Sequence, residues 1–380
     1  MKAYQLSVPT KVFFGRDILE EVISEQKQLF KGTVLIVTTG RSLIRLGYLK
    51  NLKELVQGMP DVDRVIVYDK ISANPKLDEV IKGTDFGKKE GAEFVIGFGG
   101  GSALDAAKAI AVGIGHEESL EEFFYGKKEP TGKTLPVAAI PTTAGTGSEL
   151  SKAAIITDDL RKIKSGIRGV ALYPKLAIVD SRFTETVPFN VTMETGFDVL
   201  AHAVESYISK AATPYTEMQS EYAIKIVGQY LPRLADNLQD REAREKMCFA
   251  SMIMGINLGN ASTCLPHRMQ YPVGAHTDTS HGKGLAALFP AWMFYEYPYA
   301  GDKIDKIIHL LMGINCKDVT DVVESINKFI KGLGLSVSLN ELGITEAVAG
   351  RLAGEVTGNI LNDPAAQEDG IIGKIYKRAI

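Results

Sequence analysis

Phe94-Val95-Ile96-Gly97-Phe98-Gly99-Gly100-Gly101-Ser102-Ala103-Leu104-Asp105-Ala106-Ala107-Lys108-Ala109-Ile110 is the stretch on which the architecture turns. It opens as an apolar strand, from Ala92 to Gly97, passes through glycines, and continues with helical composition from Ala103 to Ile110. A plain strand-to-helix turn needs fewer glycines. Side-chain-free residues let backbone N–H groups approach a ligand, and the helix start behind them carries partial positive charge, which suits a pyrophosphate. The run is not the GxGxxG fingerprint.

Working outward, three more β-rich runs precede or follow it: Thr33–Val37, Arg64–Tyr68 and Leu135–Ile140. Helical stretches lie between them. Continuous apolar strands alternating with helices predict a parallel sheet covered on both faces. After the last of these runs comes Pro141-Thr142-Thr143-Ala144-Gly145-Thr146-Gly147-Ser148-Glu149. It is either an ordinary polar loop or a set of hydroxyls and glycines for a nucleotide. Two such loops at the C-terminal ends of parallel strands support the second reading, because open α/β sheets bind ligands there.

From about residue 188 the pattern becomes helical: 192–209, 216–238, 241–258, 284–292, 303–312 and 319–330. This predicts an α/β domain over 1–187 and an all-α domain over 188–380, meeting near Thr186-Val187-Pro188 without a long linker. In the second part Asp198 and His202 stand four apart, on one face of a helix. Such a pair is often no more than a local hydrogen bond. His267 and His281 follow, the latter in a polar Ser280-His281-Gly282-Lys283 turn. Three imidazoles and a carboxylate make a sensible Zn²⁺ or Fe²⁺ set, but spacing does not show that they meet.

Bulk properties narrow the class. The chain has 380 residues, 45% hydrophobic and 23% charged, with a formal net charge of −3. That is a globular composition with no basic face for nucleic acid. Cys248, Cys264 and Cys316 are the only cysteines, none in a CxxC spacing, which fits a reducing compartment. No signal-like apolar segment opens the chain and no run of ~18 apolar residues occurs, so a cytoplasmic protein with no membrane partner is expected.

On these residues the chain resembles the iron-containing (group III) alcohol dehydrogenases over nearly its whole length, from Pro9-Thr10-Lys11-Val12-Phe13-Phe14-Gly15 to a final helix near Tyr376. The matching motifs are Gly99–Ser102 with Asp105 and Lys108, then Pro141–Glu149, then Phe197-Asp198 with His202-Ala203-Val204-Glu205. The last is His267 followed fourteen residues on by His281-Gly282. The resemblance implies a dehydroquinate-synthase-like fold, with a Rossmann-like N-terminal domain and a helical metal-binding domain. It implies one divalent ion, Fe²⁺ or in some members Zn²⁺, on Asp198, His202, His267 and His281. It also implies dinucleotide contacts at Asn74, Gly100, Gly101, Ser102, Thr142, Thr143, Ser151 and Lys164. The expected activity is hydride transfer between NAD(P)H and a small aldehyde or primary alcohol, by a homodimer or larger homo-oligomer.

Two departures matter. Many members carry a second histidine where this chain has Tyr271, so proton transfer rests on the ribose, water, Tyr271 or His276. Cys264, Pro266 and Arg268 also replace small or apolar residues around His267. At the coenzyme, NAD-preferring members tend to carry Asp at the position of Thr39. Here no acid is present and Arg41 lies close by, so NADP(H) is expected over NAD(H). Alternatives on the same scaffold are a glycerol-dehydrogenase-like polyol oxidation, a dehydroquinate-synthase-like lyase, or a nucleotide-binding protein without catalysis. His116 and His309 read as structural.

Overall fold

The computed structural model describes residues 3–39 and 41–380. Met1 and Lys2, and Gly40 of the run bearing on the coenzyme, lie outside the described residues. The chain divides into two compact units.

The first unit comprises Val8–Thr143 and Ser148–Thr184. Its elements are β1 (Lys11–Gly15), α1 (Leu19–Glu25), β2 (Gly32–Val37), α2 (Arg41–Arg45), α3 (Tyr48–Gln57), β3 (Val62–Tyr68), α4 (Leu77–Lys89), β4 (Ala92–Gly99), α5 (Gly101–Gly115), α6 (Leu120–Phe124), β5 (Val137–Pro141), β6 (Ala153–Asp158), β7 (Ile163–Arg168) and β8 (Leu176–Asp180). Six strands form a parallel sheet in the order β1-β8-β5-β4-β2-β3, and β6 and β7 form a separate antiparallel pair. The continuous apolar strands are explained by burial on both faces. Along β2 and β4, Leu35, Val37 and Val95 enter one core, while Val34, Ile36, Phe94 and Ile96 enter the other. Each such side chain contributes roughly 1.5–3 kcal/mol on burial.

The parallel sheet agrees with expectation; β1 and β8 extend it, and the β6–β7 pair is an addition beside it. β1 and β8 are only five residues each. A run that short has no period to distinguish strand from buried helix. The chain moves outward from β2 to β3 and then returns to β4 on the other side of β2. The strand order therefore reverses between β2 and β4, a place where open sheets hold ligands.

The second unit comprises the residues up to Ser7, Ala144–Gly147 and Glu185–Ile380. It is built from α7 (Phe189–Ile208), α8 (Pro214–Asp236), α9 (Arg241–Asn260), α10 (Leu265–Thr277), α11 (His281–Met312), α12 (Val319–Gly332), α13 (Glu346–Leu352) and α14 (Ile371–Ala379). α10 was not foreseen: Pro266 and Pro272 argue against it locally. Pro266 sits in its first turn, where a missing N–H costs nothing, and Pro272 is tolerated in a fully packed segment. The expected separate helices 284–292 and 303–312 are one element, α11, broken at Ala300 two residues after Pro298. His281 is its first residue and Ser280 its N-cap, so the expected polar turn is a helix start. Among the described residues no single helix is long and apolar enough to cross a membrane.

Candidate metal and nucleotide sites

Within the helical unit, one face of α7 presents Asp198, His202 and Glu205, at i, i+4 and i+7. Asp198 Oδ1 is the centre of the cluster. His267 Nε2 lies 3.4 Å from it, His202 Nε2 3.7 Å and His281 Nε2 3.7 Å. The ligand atoms of Asp198, His267 and His281 all lie within 4.8 Å of one another. The rings of His202 and His267 stack at 4.4 Å. All four residues named from the sequence therefore converge.

Backbone packing brings His281 there. A Cβ on Gly282 would stand 2.0 Å from the carbonyl oxygen of Glu194. Glycine thus lets the start of α11 touch α7 one turn before Asp198. The other ring nitrogens are held from outside the cluster. Glu205 Oε1 lies 2.6 Å from His267 Nδ1, and its Oε2 accepts the Cys264 N–H at 2.8 Å. Gln270 Oε1 lies 2.5 Å from His281 Nδ1. A carboxylate or amide oxygen on Nδ1 selects the tautomer whose Nε2 lone pair is free for an ion. The sequence pattern assigns neither Glu205 nor Gln270 this supporting part. The i+7 spacing of Glu205 from Asp198 was a usable signal; Gln270 had none.

Electrostatics agree with a cation site. Asp198 Oδ1 and His267 Nε2 are buried without a hydrogen-bond partner, as is His202 Nδ1. Burial would raise the Asp198 carboxyl, but His202, His281 and His267 hold it well below the usual range. Burial lowers His202. At His267 burial works downward too, but Glu205 and Asp198 outweigh it and raise the imidazole to about 10. A buried carboxylate oxygen without a partner, faced by three imidazole Nε2 atoms, fits a divalent ion, whose binding would displace the His267 proton. The Asp198 side chain is 3% exposed and that of His281 25%, so the cluster opens beside His281. Tyr271 lies on that side, its ring 6.2 Å from the His281 ring. His276 is paired with Glu355 at 2.7 Å instead.

In the α/β unit the expected dinucleotide residues gather at the C-terminal sheet edge. The Thr142 N–H donates to Gly99 O at 2.9 Å. A Cβ on Gly100 would stand 3.3 Å from Thr143 Oγ1, and one on Gly99 would stand 3.9 Å from the hydroxyls of Thr38 and Thr39. The loops after β2, β4 and β5 therefore adjoin, with Gly101 and Ser102 opening α5, whose N-cap makes no side-chain hydrogen bond. Ser102 Oγ donates to Ala73 O, and Lys164 Nζ donates to Asn74 Oδ1 at 3.3 Å. Arg41 is exposed at the start of α2. Ser151 differs: its hydroxyl accepts from the buried Lys108 ammonium at 3.2 Å. Lys108 also donates to Ser148 Oγ at 2.7 Å and pairs with Asp105 at 3.1 Å. Asp105 accepts the Ile155 N–H at 2.9 Å. These motif residues tie α5 to β6 and the preceding turn. His116 bonds Val112 O and Thr131 Oγ1, each at 2.9 Å, and His309 bonds Asn315 at 3.0 Å, as structural residues do.

Known proteins resemble this chain over both units. Residues 9–181 match the model of the iron-containing alcohol dehydrogenases, and residues 192–380 match that of the C-terminal part of the Fe-containing alcohol dehydrogenase family. The NAD-dependent methanol dehydrogenase of Bacillus methanolicus is 30% identical, over 89% of this chain and 89% of its own length. Among solved structures, an archaeal halo-thermophilic alcohol dehydrogenase from a Red Sea brine pool superposes with a TM-score of 0.93 at 27% identity, covering 100% of both chains. An iron-containing alcohol dehydrogenase from Thermotoga maritima gives a TM-score of 0.87 at 30% identity, covering 99% of each.

Proposed function

We propose, from the premise that this chain belongs to the iron-containing alcohol dehydrogenase family, that it moves a hydride between NADP(H) and a small aldehyde or primary alcohol. In this reading Asp198, His202, His267 and His281 hold one Fe²⁺ or Zn²⁺. The observation that carries it is the buried, unpartnered Asp198 Oδ1 with three imidazole Nε2 atoms within 3.7 Å. When bound, the ion supplies Lewis-acid polarisation of the substrate oxygen, worth several kcal/mol of transition-state charge stabilisation.

The chain's own residues supply position and proton control. Glu205 and Gln270 hold His267 and His281 in the tautomer that leaves Nε2 unprotonated. Burial of Asp198 and His267 keeps water from the donor set. The Gly99–Ser102 turn and the start of α5 would cradle a pyrophosphate, with Thr142 and Thr143 beside it and Asn74 and Lys164 along the same edge. Tyr271 forms a wall near His281 and is the side chain best situated to pass a proton to the substrate oxygen. Preference for NADP(H) rests on Thr39 and Arg41, which offer a 2′-phosphate no repulsion. The Bacillus methanolicus relative is named as NAD-dependent, so the preference proposed here differs from that relative's.

Protein purified without oxygen should carry about one divalent ion per chain and oxidise NADPH with small aldehydes, and chelation should abolish turnover while the fold persists. Full turnover in the stripped protein would sink the reading.

A further inference from the structure

Arg268 directly follows His267 on α10 and is 7% exposed. Its guanidinium carbon stands 5.8 Å from the centre of the Tyr271 ring. On another side it meets Gly358, whose φ is +88° and where a Cβ would come within 3.4 Å of Nη1 and 3.6 Å of Cζ. Its Nε is buried without an acceptor, and among the described residues the guanidinium makes no salt bridge or hydrogen bond. Three carboxylates of the same unit have other partners. Glu205 holds His267 and the Cys264 amide. Asp363 accepts from Leu265 N, Trp292 Nε1 and Ala365 N. Glu355 pairs with His276.

Arginine keeps its proton at any working pH, so burial cannot be relieved by neutralisation as it can for lysine. The Tyr271 ring offsets only part of the cost of burying this charge, and an anion arriving from outside the protein would offset the rest. Tyr271, over whose ring the guanidinium lies, is one turn from His267, and its ring centre is 6.2 Å from that of His281, so the guanidinium is one side chain removed from the cluster.

We infer that Arg268 is a specificity residue that binds an anionic terminus, a carboxylate or sulfonate, on a short-chain aldehyde or alcohol. The inference rests on the dehydrogenase reading for the other end of that molecule. The reaction balances as aldehyde plus NAD(P)H plus a proton giving primary alcohol plus NAD(P)⁺. The anionic group is unchanged, and fixes which end of the substrate reaches the metal cluster.

The test compares metal-loaded wild type, Arg268→Lys and Arg268→Met on two aldehyde series matched in heavy atoms, one neutral and one ending in a carboxylate. A charge-assisted contact of this kind is worth roughly 10–100-fold. In wild type, kcat/KM should favour the carboxylate series by about tenfold or more, with the preference falling as salt rises. The ratio should collapse in Arg268→Met and be partly restored in Arg268→Lys. Separately, calorimetry should detect propanesulfonate binding to wild type and not to Arg268→Met. A wild-type ratio near one, a ratio unchanged in Arg268→Met, or equal propanesulfonate binding to both proteins would overturn the inference. Propanesulfonate binding with no turnover of any aldehyde would instead uphold the anion subsite and sink the dehydrogenase reading. The wild-type ratio and its salt dependence decide the matter even if Arg268→Met misfolds.

Discussion

Glu205 Oε1 and His267 Nδ1 are 2.6 Å apart, and neither residue is within hydrogen-bonding reach of bulk water. Glu205 belongs to the same helix face as Asp198 and His202, so α7 supplies both two candidate ligands and the support for a third. Replacing Glu205 by Gln keeps the shape but removes the charge and loosens control of the tautomer. Metal affinity, read by chelator competition, should weaken by about 10–100-fold. Affinity equal to wild type would show that Glu205 serves packing only.

Gly282→Ala should be far more damaging than a surface Gly→Ala change. The added Cβ would meet backbone, the Glu194 carbonyl, which has no rotamer to escape into. The start of α11 must shift, carrying His281 away from Asp198. Elemental analysis should find the variant depleted in metal and its thermal midpoint lowered. Normal metal content at a normal midpoint would contradict this account of the α7–α11 approach.

Thr39→Asp tests the coenzyme reading. A carboxylate after β2 should repel a 2′-phosphate and bond a free 2′-hydroxyl. The ratio of kcat/KM for NADPH over NADH should fall by about tenfold or more, since a like-charge contact costs on the order of 1–3 kcal/mol at partial exposure. A wild-type protein that already prefers NADH would refute the starting point.

Glu149 predicts a pH dependence. Burial raises its carboxyl to about 7 from an ordinary 4.5, against the pull of its own backbone and of Lys108. Between those values the native protein keeps a proton that the unfolded chain has lost. Stability from this group is therefore full below about 4.5 and declines as pH rises toward 7. The difference spans about 3 kcal/mol. Glu149→Gln should flatten that decline, measured as wild-type minus variant unfolding free energy from pH 4.5 to 7.5. A difference independent of pH would count against it.

Asp363 joins three elements. It accepts from Leu265 N at the start of α10 at 3.0 Å, from Trp292 Nε1 in α11 at 2.9 Å and from Ala365 N at 3.0 Å. Burial, then the Asp363 charge, pushes the neighbouring Glu296 carboxyl well above its usual range. Asp363→Ala leaves Leu265 N and Trp292 Nε1 buried and unpaired, while Ala365 N keeps Glu296 Oε2 at 3.3 Å, and should destabilise the unit by about 2–4 kcal/mol. Trp292 is the only tryptophan, so its emission should report the same transition as circular dichroism. An unchanged denaturation midpoint would remove Asp363 from the stabilising network.

Much of this protein is legible in its linear order because the relevant physics is local. β2 and β4 announce themselves as unbroken apolar runs, and the turn after β4 as consecutive glycines. Asp198 and His202 share a face because helical periodicity requires it. Where tertiary packing competes with local propensity, the order is silent: α10 forms despite Pro272, and β8 is too short to carry a period.

Convergence belongs to the tertiary structure alone. That His281 reaches Asp198 depends on backbone touching backbone at Gly282 and Glu194, a contact between residues 88 positions apart that no spacing encodes. That the buried Arg268 guanidinium meets the Tyr271 ring but, among the described residues, no carboxylate is likewise visible only in three dimensions. Residue types along the chain specify what chemistry is available. Long-range packing decides which groups share it, because burial removes water as the alternative partner and leaves only the neighbours that the fold supplies.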